Sequence, residues 1–417
     1  MKQEFTDILV IGAGPSGVVA TGYLQQTNHK ILVIEKDKFP RYAIGESLIP
    51  RCMDNFEAAG LLEVLKKQNY QKKYGARFLK NDEVAEFDFS NKFGEGWNWT
   101  WQVPRDHFDH VLAEEIQRKG TKILFETTIE SLERIDKHWK ILIQDKSNNK
   151  TKIIAKFIID ASGNGRVLAD YLDLNKQPKF HNHSTIFTQI KEHNRPEGIA
   201  GEQIAFEIIE PDVWFWYIPF SNGISSLGFV GNTLWFENFE DHGENTFRQM
   251  LQCSKNFTDR FENDEFLFPP KNMRNLSRNV EKFYGEGFAL TGNSAEFLDP
   301  VFSSGVAFAT ESGLLAAKLA SKELNGELVN WENDYAKYIQ KGVDVFSTYV
   351  EAWYNGELQE IFFHPSQNEQ FKRQICSVLA GYVWDQKNPF VRNHKRALKS
   401  LHKLILENKL EDSGLSI

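Results

Sequence analysis

The chain has 417 residues, enough for two or three structural units around a sizeable core. Its 49 Lys and Arg against 57 Asp and Glu give a net charge of −8, which excludes nucleic acid as a main partner because that role needs a concentrated basic surface. The three cysteines, Cys52, Cys253 and Cys376, show no CxxC pairing and no histidines at zinc spacing, so neither a disulfide framework nor a metal centre is expected. With no signal-like start and no apolar run of about eighteen residues, the expectation is a cytoplasmic protein without a membrane span.

In chain order, Asp7 to Ile11 reads as a short buried strand, Gly12 to Gly17 as a turn and Ser16 to Gln26 as a helix. Lys30 to Glu35 reads as the next strand, completing a βαβ unit. Phe39 to Pro50 breaks periodicity, and a helix near Cys52 to Ala59 stops at Gly60. Lys66 to Lys73 reads as a lysine-rich helix end, and Tyr74 to Phe89 alternates like strands. A helix over Arg105 to Lys119 precedes strands near Lys122 to Glu126, Trp139 to Gln144 and Lys152 to Asp160, with Ser147-Asn148-Asn149 as a hairpin turn. The pattern from about His181 to Gly231 is mostly strand-like, and Glu244 to Ser254 reads as a helix. A short buried strand at Phe288 to Thr291 precedes a long helix from about Val306 to Leu324. The last ninety or so residues read as amphipathic helices.

Gly12, Gly14 and Gly17 lie between a strand and a helix. The first permits a tight turn, the second lets the backbone approach a pyrophosphate, and the third lets the helix pack closely. Ser16 opens a helix whose amides and dipole suit phosphate. Glu35 ends the second strand eighteen residues after Gly17, close to the spacing of a ribose-binding acid. Trp214-Phe215-Trp216-Tyr217-Ile218-Pro219 places two indoles on one face of a strand that proline ends. Such a wall either fills a core or faces a cofactor or substrate. Trp97, Trp99 and Trp101 alternate too and read as packing or pocket wall on a strand. His107, His110, His181 and His183 have no spacing that suggests a ligand set, and Ser294 and Ser303 have no triad context.

Asp160-Ala161-Ser162-Gly163 after an apolar strand, and Gly292-Asn293-Ser294-Ala295 after Phe288 to Thr291, resemble the second and third fingerprints of the glutathione-reductase-like FAD fold. Phe39-Pro40-Arg41 with Ile44-Gly45-Glu46-Ser47 and Pro50 resembles the loop after the second strand in flavin-dependent halogenases. Phe297, Pro300, Ser303 and Gly305 match that family's Fx.Px.Sx.G pattern, and Trp214, Trp216, Ile218 and Pro219 match its WxWxIP motif. In this order, over roughly the first three quarters of the chain, the sequence resembles a flavin-dependent halogenase.

The resemblance implies an α/β fold: a discontinuous FAD-binding domain over 1–74, 100–168 and 278–328, a mostly antiparallel substrate-side sheet over 75–99 and 169–277, and a helical C-terminal region over 329–417. It implies FAD held by Gly12, Gly14, Ser16, Gly17, Glu35, Arg41, Ser47, Arg105, Asp160, Asn293 and Gly305, reduced by a partner flavin reductase. It also implies chloride or bromide bound by the amides of Ser304 and Gly305. Hypohalous acid formed from reduced flavin, oxygen and halide would pass to Lys73, in Lys73-Tyr74-Gly75-Ala76-Arg77-Phe78, and on to an electron-rich aromatic substrate, free or tethered to a carrier protein. A lysine run such as Lys66, Lys67, Lys72 and Lys73 is ordinarily a solvated face, and only the surrounding motif singles out Lys73. Trp214 and Trp216 would stand between flavin and substrate. The tryptophan-halogenase branch has a catalytic glutamate where this chain has Phe302, so Phe302 is read as pocket wall and the substrate as phenolic. A hydroxylase or an isoprenoid-chain reductase on the same fold is the alternative.

Overall fold

The computed structural model describes residues 2–178, 183–239, 243–365 and 368–412, with side chains of the last helix through Glu407. His181 and the start of the expected strand-rich stretch lie outside these residues.

Two sheets organise the chain. In the first, Lys2–Ile11 is flanked in parallel by Lys150–Asp160 and Ile31–Ile34. Phe288–Leu290 extends the sheet on one side and Lys122–Leu124 on the other. The Ile8-to-Ile11 run is wholly buried because both its faces are covered. The strand starts earlier than its apolar run, since Lys2 to Thr6 pair with Thr151 to Ala155. Thr127–Ile135 is a strand that the sequence pattern misses. Its mostly polar residues sit at a half-exposed edge, paired with His138–Asp145, which in turn pairs antiparallel with Lys150–Asp160.

The second sheet runs Glu265–Phe266, His183–Lys191, Ile224–Asn232, Val213–Pro219, Ala205–Glu210, Gly75–Lys80, Glu83–Asp88. Its pairings are antiparallel except that of Ala205–Glu210 with Gly75–Lys80. Period-two alternation splits the tryptophan strand cleanly. Trp214, Trp216 and Ile218 enter the large core shared with the first sheet, while Phe215 and Tyr217 enter a smaller one with Phe247, Phe257 and Phe261.

The long helix begins at Ser304, two residues earlier than expected, and runs to Leu324. It lies against Pro15–Leu24 so closely that a Cβ on Gly313 would sit 2.5 Å from the Ser16 carbonyl oxygen. The C-terminal helix Lys337–Tyr354 brings Trp353 onto Phe78 of the second sheet, and Phe362 of Glu357–Phe362 packs on Phe78 and Phe87.

Two expectations are corrected. The helix carrying Lys66 ends there, and Lys73 lies instead on a short strand, Gln71–Lys73, paired with Thr100–Gln102. Of the three alternating tryptophans only Trp101 is on a strand, because Gly94 and Gly96 turn the chain at φ +77° and +106° just before Trp97. No helix among the described residues is long and apolar enough to cross a membrane.

Candidate active site

The glycine turn has the geometry of a dinucleotide cradle. Gly12 has φ +98°, and a Cβ there would meet the Ala161 carbonyl oxygen at 2.4 Å. One on Gly17 would meet the Gly12 carbonyl oxygen at 1.9 Å. Gly14 is different, since the only atom near its Cβ position is Arg41 Nη2 at 3.6 Å, leaving open space at the start of the helix. That helix has no side-chain cap and no acid in its first turn, so its leading amides remain available to an anion. Arg41 Nε is buried without a hydrogen-bond partner, Asp37 Oδ2 being 3.6 Å away. An open, amide-lined cleft beside an unsatisfied guanidinium nitrogen fits a diphosphate.

Glu35 caps this cleft from the second strand and accepts from Ala13 N at 2.8 Å and Asp37 N at 2.9 Å. Ser16 Oγ donates to Thr291 Oγ1 at 2.7 Å, tying the first glycine segment to the third. Asp160 is fully buried, and its carboxylate accepts from Ser162 N and Leu168 N, so its side chain braces the second segment from within. Asn293 is half-buried and reaches Asn164 Oδ1 at 3.3 Å, joining the second segment to the third.

The loop between Pro40 and Pro50 is pinned by Arg105, which opens the helix Arg105–Arg118 and is 6% exposed rather than a surface arginine. Arg105 grips Asp109 through two nitrogens at 2.7 and 2.9 Å, and its Nη1 donates to the Ile44 carbonyl at 2.7 Å. Neighbouring residues of this loop then face two ways. Ser47 Oγ accepts from Lys73 Nζ at 2.8 Å, and the Leu48 carbonyl accepts from the same nitrogen at 2.8 Å. Lys73 is 1% exposed, and burial brings its amine down from 10.5 to about 7. Lys72, the next residue along the strand, is exposed, with its amine over the Trp99 ring. Glu46 points to the second sheet, accepting from Gln189 Nε2 at 2.6 Å, and burial pushes its carboxyl up to about 7.

Across from this loop stand the two indoles, with ring centroids 6.0 Å apart. Trp214 Nε1 donates to Tyr354 OH, and Trp216 Nε1 to Ser226 Oγ, each at 3.1 Å. Phe302 is buried edge-on against Tyr349 and Trp353, with no carboxylate at that position. Ser303 at φ +55° turns the chain into the long helix. The first turn of that helix, with Ser304 and Gly305, has neither an acid nor a side-chain cap. A polar groove of about 710 Å³ beside Arg166 and Arg278 and a shallow cavity of about 330 Å³ beside Trp97 and Trp99 have neither Lys73 nor either indole of the pair in their linings. No cluster of His, Cys, Asp or Glu suited to a metal occurs among the described residues.

Sequence reasoning assigned no role to Glu46, Asp299, Ser226, Gln189 or Tyr354. Glu46 and Asp299 lie inside motifs that were legible. Gln189 and Tyr354 carry no local signal, because their partners come from distant parts of the chain, and Ser226 meets Trp216 only through the pairing of neighbouring strands.

The FAD binding domain family matches residues 5–321. The chain is 26% identical to a 1H-pyrrole-2-carbonyl-(peptidyl-carrier protein) chlorinase of Pseudomonas fluorescens, over 95% of this chain and 94% of that protein. It is 26% identical to the corresponding brominase of Pseudoalteromonas luteoviolacea, over 91% and 92%. A solved structure described as a flavoprotein/dehydrogenase from Cytophaga hutchinsonii superposes with a TM-score of 0.95 at 45% identity, over 97% of this chain and all of the other.

Proposed function

We propose that this chain, a member of the FAD binding domain family and of its flavin-dependent halogenases, attaches halogen to an electron-rich aromatic ring, with Lys73 presenting the halogen. The observation that carries this reading is Lys73 itself, a buried amine with two fixed acceptors whose protonation changes near pH 7. Gly12, Gly14, Gly17 and Arg41 would hold the diphosphate of FAD, Glu35 the ribose, and the loop pinned by Arg105 would flank the ring system. When bound, reduced FAD supplies the two electrons that activate oxygen, and a separate reductase renews them. Amides of Ser304 and Gly305 suit a halide, since a helix start without an acid attracts anions. In its neutral form Lys73 has a lone pair for the electrophilic halogen of hypohalous acid, while Ser47 and the Leu48 carbonyl fix its direction. Trp214 and Trp216 form a wall that keeps substrate from the flavin side. With Phe302 in place of a carboxylate, the ring must activate itself. A phenol does so, and so does a pyrrole borne on a carrier protein, the substrate in the names of the two bacterial relatives.

The test supplies the protein with FAD, a flavin reductase, NADH, oxygen and chloride or bromide, and screens phenols and a carrier-bound pyrrole by mass spectrometry. Halogenated product is expected from the parent. Lys73→Ala should abolish it while flavin oxidation continues. Normal halogenation by that variant would remove Lys73 from the mechanism. A second reading, redox chemistry on substrate without halide, is favoured by the description of the 45% identical structure. Product that forms equally without halide would establish it.

A further inference from the structure

The two indole N–H groups both end on hydroxyls, and one of those hydroxyls leads on to a buried carboxylate. Trp214 Nε1 donates to Tyr354 OH at 3.1 Å, and that hydroxyl donates to Asp299 Oδ2 at 2.9 Å. Trp216 Nε1 donates to Ser226 Oγ at 3.1 Å, on the neighbouring strand of the same sheet. Trp214 is thus linked through a hydroxyl to a carboxylate that is 1% exposed.

Asp299 and Trp214 belong to opposite sides of the site. Asp299 lies in the loop after Phe288–Leu290, five residues before Ser304. That loop leaves the C-terminal end of a strand in the first sheet, whereas the indoles stand on the second. The carboxylate is also locked through its other oxygen, Asp299 Oδ1 accepting from Val301 N at 2.9 Å. His183 Nδ1 stands 3.3 Å from Asp299 Oδ2 without hydrogen-bond alignment. Burying carboxyls is a costly way to fill space that apolar side chains would fill better, and hydrogen-bonded ones specify geometry rather than add stability.

We propose that Asp299 is a positioning residue, and that the tether Trp214–Tyr354–Asp299 fixes the indole wall against the loop that leads into the halide site. The inference rests on the halogenase reading for what lies on either side of the wall. Its consequence is that a tight wall confines the oxidant, and a loosened one lets reducing equivalents escape as hydrogen peroxide.

Tyr354→Phe cuts the tether and keeps both indoles. The experiment measures hydrogen peroxide released per reduced FAD oxidised by the FAD-loaded protein, together with FAD affinity and Tm. The variant should raise the peroxide yield about two- to ten-fold, the range corresponding to one lost hydrogen bond, with FAD affinity unchanged. Asp299→Ala should behave like Tyr354→Phe. Asp299→Asn should restore the parent ratio, because its carbonyl still accepts from Val301 N while its NH2 donates to the Tyr354 hydroxyl. Equal peroxide yields with only a lowered Tm would make the tether purely structural and overturn the proposal. The peroxide readout needs no halogenated product, so failure of the halogenase reading appears separately, as absence of halide-dependent product from the parent.

Discussion

Lys73 Nζ and Ser47 Oγ meet at 2.8 Å in a place where the lysine is 1% exposed and no carboxylate accepts from its amine. Two neutral oxygens, the Ser47 hydroxyl and the Leu48 carbonyl, are what the amine has for partners, and burial leaves it titrating at about 7 instead of 10.5. Below that value it is an ammonium and has no lone pair to offer. Halogenation should therefore rise as pH increases through 7 and level off above it, at fixed halide and saturating reduced FAD. A pH profile that is flat or falls across this range would show that the neutral amine is not the working form.

The same shift has a consequence for stability. In the unfolded chain Lys73 stays protonated up to 10.5, while in the fold it loses its proton from about 7. Between those values the unfolded state binds more protons, so this group makes stability increase with pH across that window and contributes least below 7. Lys73→Met removes the buried amine and keeps the bulk. Urea titrations should find the variant more stable than the parent at pH 6, with the difference shrinking toward pH 10. A parent that is the more stable at pH 6 would mean that the hydrogen bonds outweigh the desolvation.

Arg105 shows how a residue can serve a site without facing its chemistry. Its fork holds Asp109, and its Nη1 holds the Ile44 carbonyl, so the loop carrying Glu46 and Ser47 depends on it. Arg105→Lys keeps the charge and loses the fork. Asp109, itself 1% exposed, would retain Arg41 Nη1 at 3.3 Å, which should let the chain fold. One or two lost charge-assisted hydrogen bonds at about 1.5–3 kcal/mol each should weaken FAD binding by roughly ten-fold or more. Equilibrium dialysis of FAD against parent and variant measures this, and equal affinities would reduce Arg105 to a structural ion pair.

What could be read from sequence followed the range of the interactions. The glycine turn, its strand and its helix are local, and the turn sits where the spacing of Gly12, Gly14 and Gly17 places it. Lys73 was legible only through its motif, because the neighbouring lysines disguise it as solvated surface. The alternation of Trp97, Trp99 and Trp101 suggested a strand that two glycines at positive φ interrupt. A Cβ on Gly96 would collide with Tyr382 OH at 2.2 Å, a contact with the loop after the helix Glu369–Leu379 that no pattern near the tryptophans announces. Tyr354 was beyond reach for the same reason. Its partners Trp214 and Asp299 are 140 and 55 residues away, and nothing in its own helix marks it as different from a packing tyrosine.

Gly228 offers a steric test of the indole wall that leaves every polar group intact. It faces Trp216 across the sheet, and a Cβ there would fall 2.4 Å from the Cη2 and Cζ2 atoms of that ring. Its backbone is ordinary strand, so alanine would meet no conformational penalty and the whole effect would come from displacing the ring. Overpacking of this kind costs about 1–3 kcal/mol. Gly231 on the same strand supplies the control, since a Cβ there would press on Val213 Cγ2 at 2.8 Å and not on either indole. Gly228→Ala and Gly231→Ala should both lower Tm by several degrees, but only the first should raise peroxide release per reduced FAD oxidised. If both variants leak alike, the leak tracks general loosening of the second sheet. If only Gly228→Ala leaks, the position of the Trp216 ring governs where the oxidant goes.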